Sequence, residues 1–177
     1  MPTYSKADRE LHDVVLEAMD RWHSRLVDSD VTVDVLLAYG TRDKNDDIVS
    51  PAITDRGVQC RAKIKITSLR DRALGVADAV MLIGGDHIDE WSTPELDALI
   101  DHELTHLELA TDKDGNLKRD DLDRPCLVMR LHDWEFGWFD EVARRHGDKS
   151  GEIQQARRLI EASGEVYQMY LPGLEPA

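Results

Sequence analysis

Residues 92–110, STPELDALIDHELTHLELA, constrain the fold more than any other stretch of the chain. Leu96, Ile100, Leu104 and Leu107 recur every three or four positions, which puts them on one stripe of an α-helix that has to face a core. The start signals agree with this. Ser92 and Glu95 have the spacing of a capping box, and Pro94 is tolerated in a first turn whose N–H groups lack intrahelical partners. Thr93 is the competing cap, and the helix is expected to fray near Ala110. Beside the apolar stripe stand His102, Glu103 and His106, in the order His-Glu-x-x-His. Residues four apart on a helix project one turn apart on the same side, so two imidazoles can meet one metal ion. Glu103 is rotated from them yet adjacent, placed to act on a water as general base rather than as a ligand. The spacing points to zinc chemistry. An acidic helix with two idle histidines is the other reading it allows.

A third ligand decides between these readings, because a catalytic zinc takes three protein ligands and keeps one position open. A histidine six residues after the second one is ruled out, since that position is Asp112. Candidates further on are His132, Asp133, Glu135, Glu141 and His146. His132 is the first choice: it lies where the apolar CLVMRL meets a further helical segment, so backbone on both sides can hold it. Glu135 is the runner-up. Asp133 either caps that helix or accepts a hydrogen bond from a ligand histidine. His146, near the end of the same segment, reads as a surface residue. The DKDG turn at residues 112–115 fits neither the spacing nor the closing Glu of a calcium loop.

The remaining chain supplies an α+β frame. A helix is expected from Ser5 to Val27, with Leu11, Val14, Val15, Ala18, Met19 and Trp22 on one face; His12 and His23 there read as surface or packing residues. VTVDVLLAYG, VQCRAKIKITSL and the run from Ala77 to Ile83 read as strands, and CLVMRL as a short one. Residues 41–56 are polar and turn-rich, a flexible loop by expectation, and residues 171–177 form a tail. Two C-terminal helices are expected, one from Asp133 to Gly147 and one from Ser150 to Tyr170. The arrangement is a single domain over 1–177. With 22 Lys and Arg against 36 Asp and Glu, a net charge of -14 argues against nucleic acid as a partner. Two cysteines, Cys60 and Cys126, exclude a four-cysteine zinc site and read as reduced thiols. No signal-type or membrane-spanning run is present, which makes a cytoplasmic protein the expectation.

ADAVMLIGG, ELDALIDHELTHLEL, the DKDG turn and HDWEFGWFDEVARRHG together resemble the phage metallopeptidase family, small zincin-like HExxH proteins of phages and prophages. The resemblance spans roughly residues 31–147. It implies a zincin-like fold: a small mixed sheet packed against the N-terminal helix and the HExxH helix, followed by C-terminal helices. It also implies zinc at His102 and His106, catalysis by Glu103, a His-Asp element falling on His132 and Asp133, a peptide or protein substrate, and the host cytoplasm as location. In such proteins substrate backbone runs along a strand beside the metal helix. Residues 77–91 could supply that edge, with His87 at the cleft mouth or simply a loop histidine. The alternative function is a zinc-dependent binding or regulatory protein on the same scaffold, with little or no hydrolysis. A closed fourth ligand, such as Glu135 joining His132, would favour it.

Overall fold

The computed structural model describes residues 1–55, 57–132 and 138–162. Strand β1 (Thr3–Lys6) leads into helix α1 (Arg9–Trp22) and the single turn α2 (Ser24–Val27). Strand β2 (Val33–Tyr39) follows, then the short strands β3 (Thr41–Arg42), β4 (Ile48–Ser50), β5 (Thr54–Asp55) and β6 (Val58–Gln59). Next come β7 (Ala62–Ile66), α3 (Leu69–Ala73), β8 (Ala79–Gly84) and the HExxH helix α4 (Thr93–Thr105). The chain continues with β9 (Leu107–Leu109), β10 (Leu127–Met129), α5 (Asp140–His146) and α6 (Gly151–Ala162).

The central sheet has the order β1-β2-β8-β7. The β2/β8 pair is parallel and the two outer pairs are antiparallel, so the sheet is mixed. Val33 and Val35, Ala62 and Ile64, and Ala79, Met81 and Ile83 are buried on one face, at the period of two that a half-covered strand requires. Val15 and Met19 of α1 and Ile100 and Leu104 of α4 complete that core. The leucine stripe read from the sequence thus faces the sheet. Helix α1 starts at Arg9 rather than near Ser5, because Asp8 caps it through Leu11 N–H at 2.8 Å and residues 3–6 pair with β2.

The edge expected of residues 77–91 is not there. β8 is a central strand, hydrogen-bonded on both sides, and the edge beside α4 is β7. Residues 41–55 carry the small antiparallel pair β3–β4 and the strand β5, which pairs with β6 beyond them, and Ile53 is buried. Helix α5 begins only at Asp140, with Phe139 as its N-cap residue, and Gly147 ends it at a φ of 54°. The proposed cap at Asp133 and the helical continuation of α6 toward Tyr170 lie outside the described residues. No helix among the described residues is long and apolar enough to cross a membrane.

Candidate metal centre

Helix α4 is fixed at its start by the capping box: Ser92 N–H and Oγ both donate to the Glu95 carboxylate, at 3.0 and 2.7 Å. It ends at Thr105, with His106 as C-cap, five residues before the expected fraying point. Leu107 lies on the helical stripe but also starts a strand alternation with Leu109, and the chain takes the strand. That choice carries the third histidine into place. β9 pairs antiparallel with β10 in the register Leu107↔Met129, and Arg130 N–H donates to the His106 carbonyl at 2.7 Å. Two residues later His132 faces the α4 pair.

The side chains of His102, His106 and His132 each offer a nitrogen, all within 4.8 Å of one another. The Nε2 atoms of His102 and His132 are 3.2 Å apart. Two imidazole nitrogens on one tetrahedral zinc, each at about 2.0–2.1 Å, stand roughly 3.3 Å apart. The observed spacing therefore suits a shared cation without rearrangement of that pair.

Two of the rings are oriented from behind. His102 Nδ1 is 2.8 Å from Glu152 Oε1, a carboxylate only 3% exposed. His106 Nδ1 donates to the Arg130 carbonyl at 2.8 Å. A proton committed at Nδ1 leaves Nε2 of the neutral ring with its lone pair free, the tautomer a metal requires. Burial disfavours the His102 imidazolium, yet the carboxylates of Glu152, Glu103 and Asp101 outweigh it and raise its pKa. His106 behaves oppositely: burial, reinforced by the neighbouring His102, His132 and Arg130, pushes it down to about 4, against its bond to the Arg130 carbonyl. It is a neutral, ligand-ready ring through the physiological range.

Glu103 is buried, and burial raises its pKa against the opposing pull of His102 and of the Ile64 N–H. Its Oε2 accepts that N–H at 2.8 Å, so the carboxylate is tied to the edge strand β7 and only Oε1 is left for chemistry. Phe139, fully buried, forms the floor: its ring centroid is 4.9, 4.9 and 5.1 Å from those of His102, His106 and His132. Behind α4, the fully buried Asp101 accepts from Arg145 at 2.9 Å and meets His23 and His146 ring nitrogens at 2.8 and 3.0 Å. This joins α1, α4 and α5. His146 is thus a buttress rather than the surface residue expected.

The other candidates go elsewhere. Glu141 pairs with Arg130 at 2.5 Å and Arg145 at 2.9 Å. Asp112 receives the N–H groups of Asp114 and Asn116 in an exposed turn. His87 is exposed beside Glu90, away from the cleft, which is the plain loop role. Asp133 and Glu135 lie outside the described residues. Glu152, Phe139 and Ile64 have no sequence signal that pairs them with the motif; each comes from another element through tertiary packing.

The histidines and Glu103 lie in a cleft of about 520 Å³ between β7 and α6, with α4 between these walls. The arrangement can hold one divalent ion on three imidazoles with a buried carboxylate beside it. No curated protein and no solved structure matches the chain at a significant level. The family described as "Putative phage metallopeptidase" matches residues 4–163, nearly the whole sequence. A cluster of three histidines able to hold a metal ion is consistent with that description, and the chain belongs to the phage metallopeptidase family.

Proposed function

We propose that the chain hydrolyses peptide bonds with a zinc ion on His102, His106 and His132 and with Glu103 as general base. The observation that carries this reading is the convergence of the three imidazoles beside a buried carboxylate, inside a cleft walled by the edge strand β7. The donor set favours zinc among common ions, since three neutral nitrogens are a poor site for calcium or magnesium, which take oxygens. What such an ion supplies is Lewis acidity toward water and the scissile carbonyl.

The chain's own residues do the rest. Glu152 and the Arg130 carbonyl hold the rings of His102 and His106 so that they cannot turn away. Glu103 Oε1 takes the proton of the attacking water and delivers it to the leaving amine. Its raised pKa suits both steps, because a carboxyl that holds a proton more readily is the better base and can still release it. The Ile64 N–H keeps Oε2 occupied and sets the distance between the base and the strand along which an extended peptide would pair.

The test is metal content and peptide cleavage measured on one preparation. The wild type binds about one zinc per chain and cleaves peptides. Glu103→Gln keeps the metal and loses cleavage by about a hundredfold or more, while His132→Ala loses the metal. A wild type that binds no zinc sinks the proposal. One that binds zinc but cleaves no peptide favours a binding or regulatory protein on this scaffold.

A further inference from the structure

The cleft has an unusual balance for so acidic a chain: four cations line it against four carboxylates, in a protein with a net charge of -14. The carboxylates are all committed. Glu103 holds the Ile64 N–H and Glu152 the His102 ring. Glu95 is occupied by Ser92 and by Gln154 Nε2 at 3.1 Å, and Asp55 by Lys63 Nζ at 2.5 Å. The cations are not all matched in this way. Lys149, just ahead of α6, and Arg158, on it, are both exposed and form no salt bridge among the described residues, although Lys149 lies near enough to act on the Glu95 carboxylate. Gln155, between them on that wall, uses its oxygen for Trp138 Nε1 at 3.4 Å, which leaves its amide N–H groups to donate.

A basic side chain entering this cleft meets, among the described residues, only carboxylates that already have a partner. An acidic one meets two exposed cations without a salt bridge among the described residues, and an amide donor. We propose that the α6 wall, through Lys149 and Arg158, selects peptides carrying acidic side chains next to the bond to be cut. This rests on the peptidase reading above and adds the substrate class. The overall negative charge does not argue against it, since charges more than about 8 Å away are largely screened at physiological salt whereas contact charges are not.

The experiment separates binding from cleavage. Zinc-loaded Glu103→Gln protein is titrated with fluorescein-labelled decapeptides identical except for Glu, Gln or Lys on both sides of a central Leu-Leu, read by fluorescence anisotropy. Partly exposed ion pairs change affinity by up to about fivefold each. The Glu peptide is therefore expected to bind about tenfold tighter than the Gln peptide, and the Lys peptide weakest. A second preparation adds Lys149→Gln and Arg158→Gln, two surface changes that leave the fold intact, and there the Glu preference disappears. Equal affinities for Glu and Gln peptides, including no measurable binding of either, overturn the proposal. So does a preference that survives the double change. Wild-type cleavage of the Gln peptide is followed in parallel: acidic preference without any cleavage sinks the peptidase reading and leaves the charge selection standing.

Discussion

Glu152 offers the sharpest test of how the centre is held together. It stands 50 residues from His102 in sequence, is 3% exposed, and lies 2.8 Å from His102 Nδ1. Outer partners of metal-bound histidines are worth about tenfold to a hundredfold in metal affinity, or roughly 1.4–2.7 kcal/mol. Two substitutions divide that figure. Glu152→Gln keeps an oxygen able to accept the Nδ1 proton but removes the charge, so about a tenfold loss is expected. Glu152→Leu removes the acceptor too and frees the ring to rotate, so the loss approaches a hundredfold. The assay is zinc affinity by competition with a chromophoric chelator, beside a urea melt of the metal-free proteins to subtract any change in fold. The pH dependence supplies a second reading. Because the carboxylates raise the His102 pKa in the free protein, protons compete with zinc for that ring as pH falls through its range; affinity is full above that pKa and lost below it. His106, held at about 4, joins the competition only in strong acid. Glu152→Gln therefore moves the His102-linked fall in affinity to lower pH while weakening the plateau. Zinc affinity within twofold of wild type in both variants would refute the orienting role of Glu152 and leave the ring held by its packing alone.

Three further outcomes follow from the packing. Asp78, 1% exposed, accepts Thr32 N–H and Oγ1 at 2.8 and 2.7 Å, Arg124 Nε at 2.8 Å, and a bond from the buried Arg72. Burial alone would raise its pKa, but the Thr32 and arginine contacts win and hold it low. Its stabilisation is present above the ordinary carboxylate range near 3.9 and is lost as pH drops through the depressed value, so acid unfolding sets in below about pH 4. Asp78→Asn is expected to cost about 1.5–3 kcal/mol in urea melts at pH 7, because it takes from the buried Arg72 one of its two counter-charges and leaves Asp120 as the other; a loss under 1 kcal/mol refutes that. Phe139→Ala removes the floor under three imidazoles and costs about 3–5 kcal/mol of stability. Phe139→Leu fills most of the space, and zinc affinity close to wild type in that variant would show that volume rather than aromaticity matters. Leu104→Ala, at a fully buried position on the stripe, costs about 2.7–5 kcal/mol by the same cavity argument, seen as a lowered urea midpoint with m unchanged.

The features legible in the sequence are those whose causes are local. The capping box at Ser92, the stripe from Leu96 to Leu104 and the alternation in AKIKI each declare their structure within a few residues, and the structure has them there. β1 is silent in the sequence because its four residues are all exposed and carry no pattern; only the partner β2 makes them a strand. The edge strand is misassigned for a related reason. The apolar run in β8 belongs to a central strand flanked by β2 and β7, while the polar alternation of β7 belongs to the edge. His146 reads as a surface residue because its partner Asp101 sits 45 residues away in sequence and only folding joins them. His132 is identifiable from its place between an apolar strand and a helical segment, yet nothing in its neighbourhood announces that the β9–β10 pairing brings it within 3.2 Å of His102.

That pairing gives the centre two kinds of arm. His102 and His106 ride on one rigid helix, preorganised whenever α4 is folded, whereas His132 hangs from a hairpin whose strands are three residues each. Short, partly exposed strands open locally far more often than a buried helix does. The ion's residence time should then be set at the hairpin. One arm would swing away with two remaining, and a bound ion would exchange without unfolding of the domain. Zinc exchange measured against amide protection would follow the β9–β10 amides and ignore those of α4. A centre built in this way can be loaded or stripped in the folded protein, and a substitution that strengthens the hairpin, far from any imidazole, would turn an exchangeable metal into a locked one.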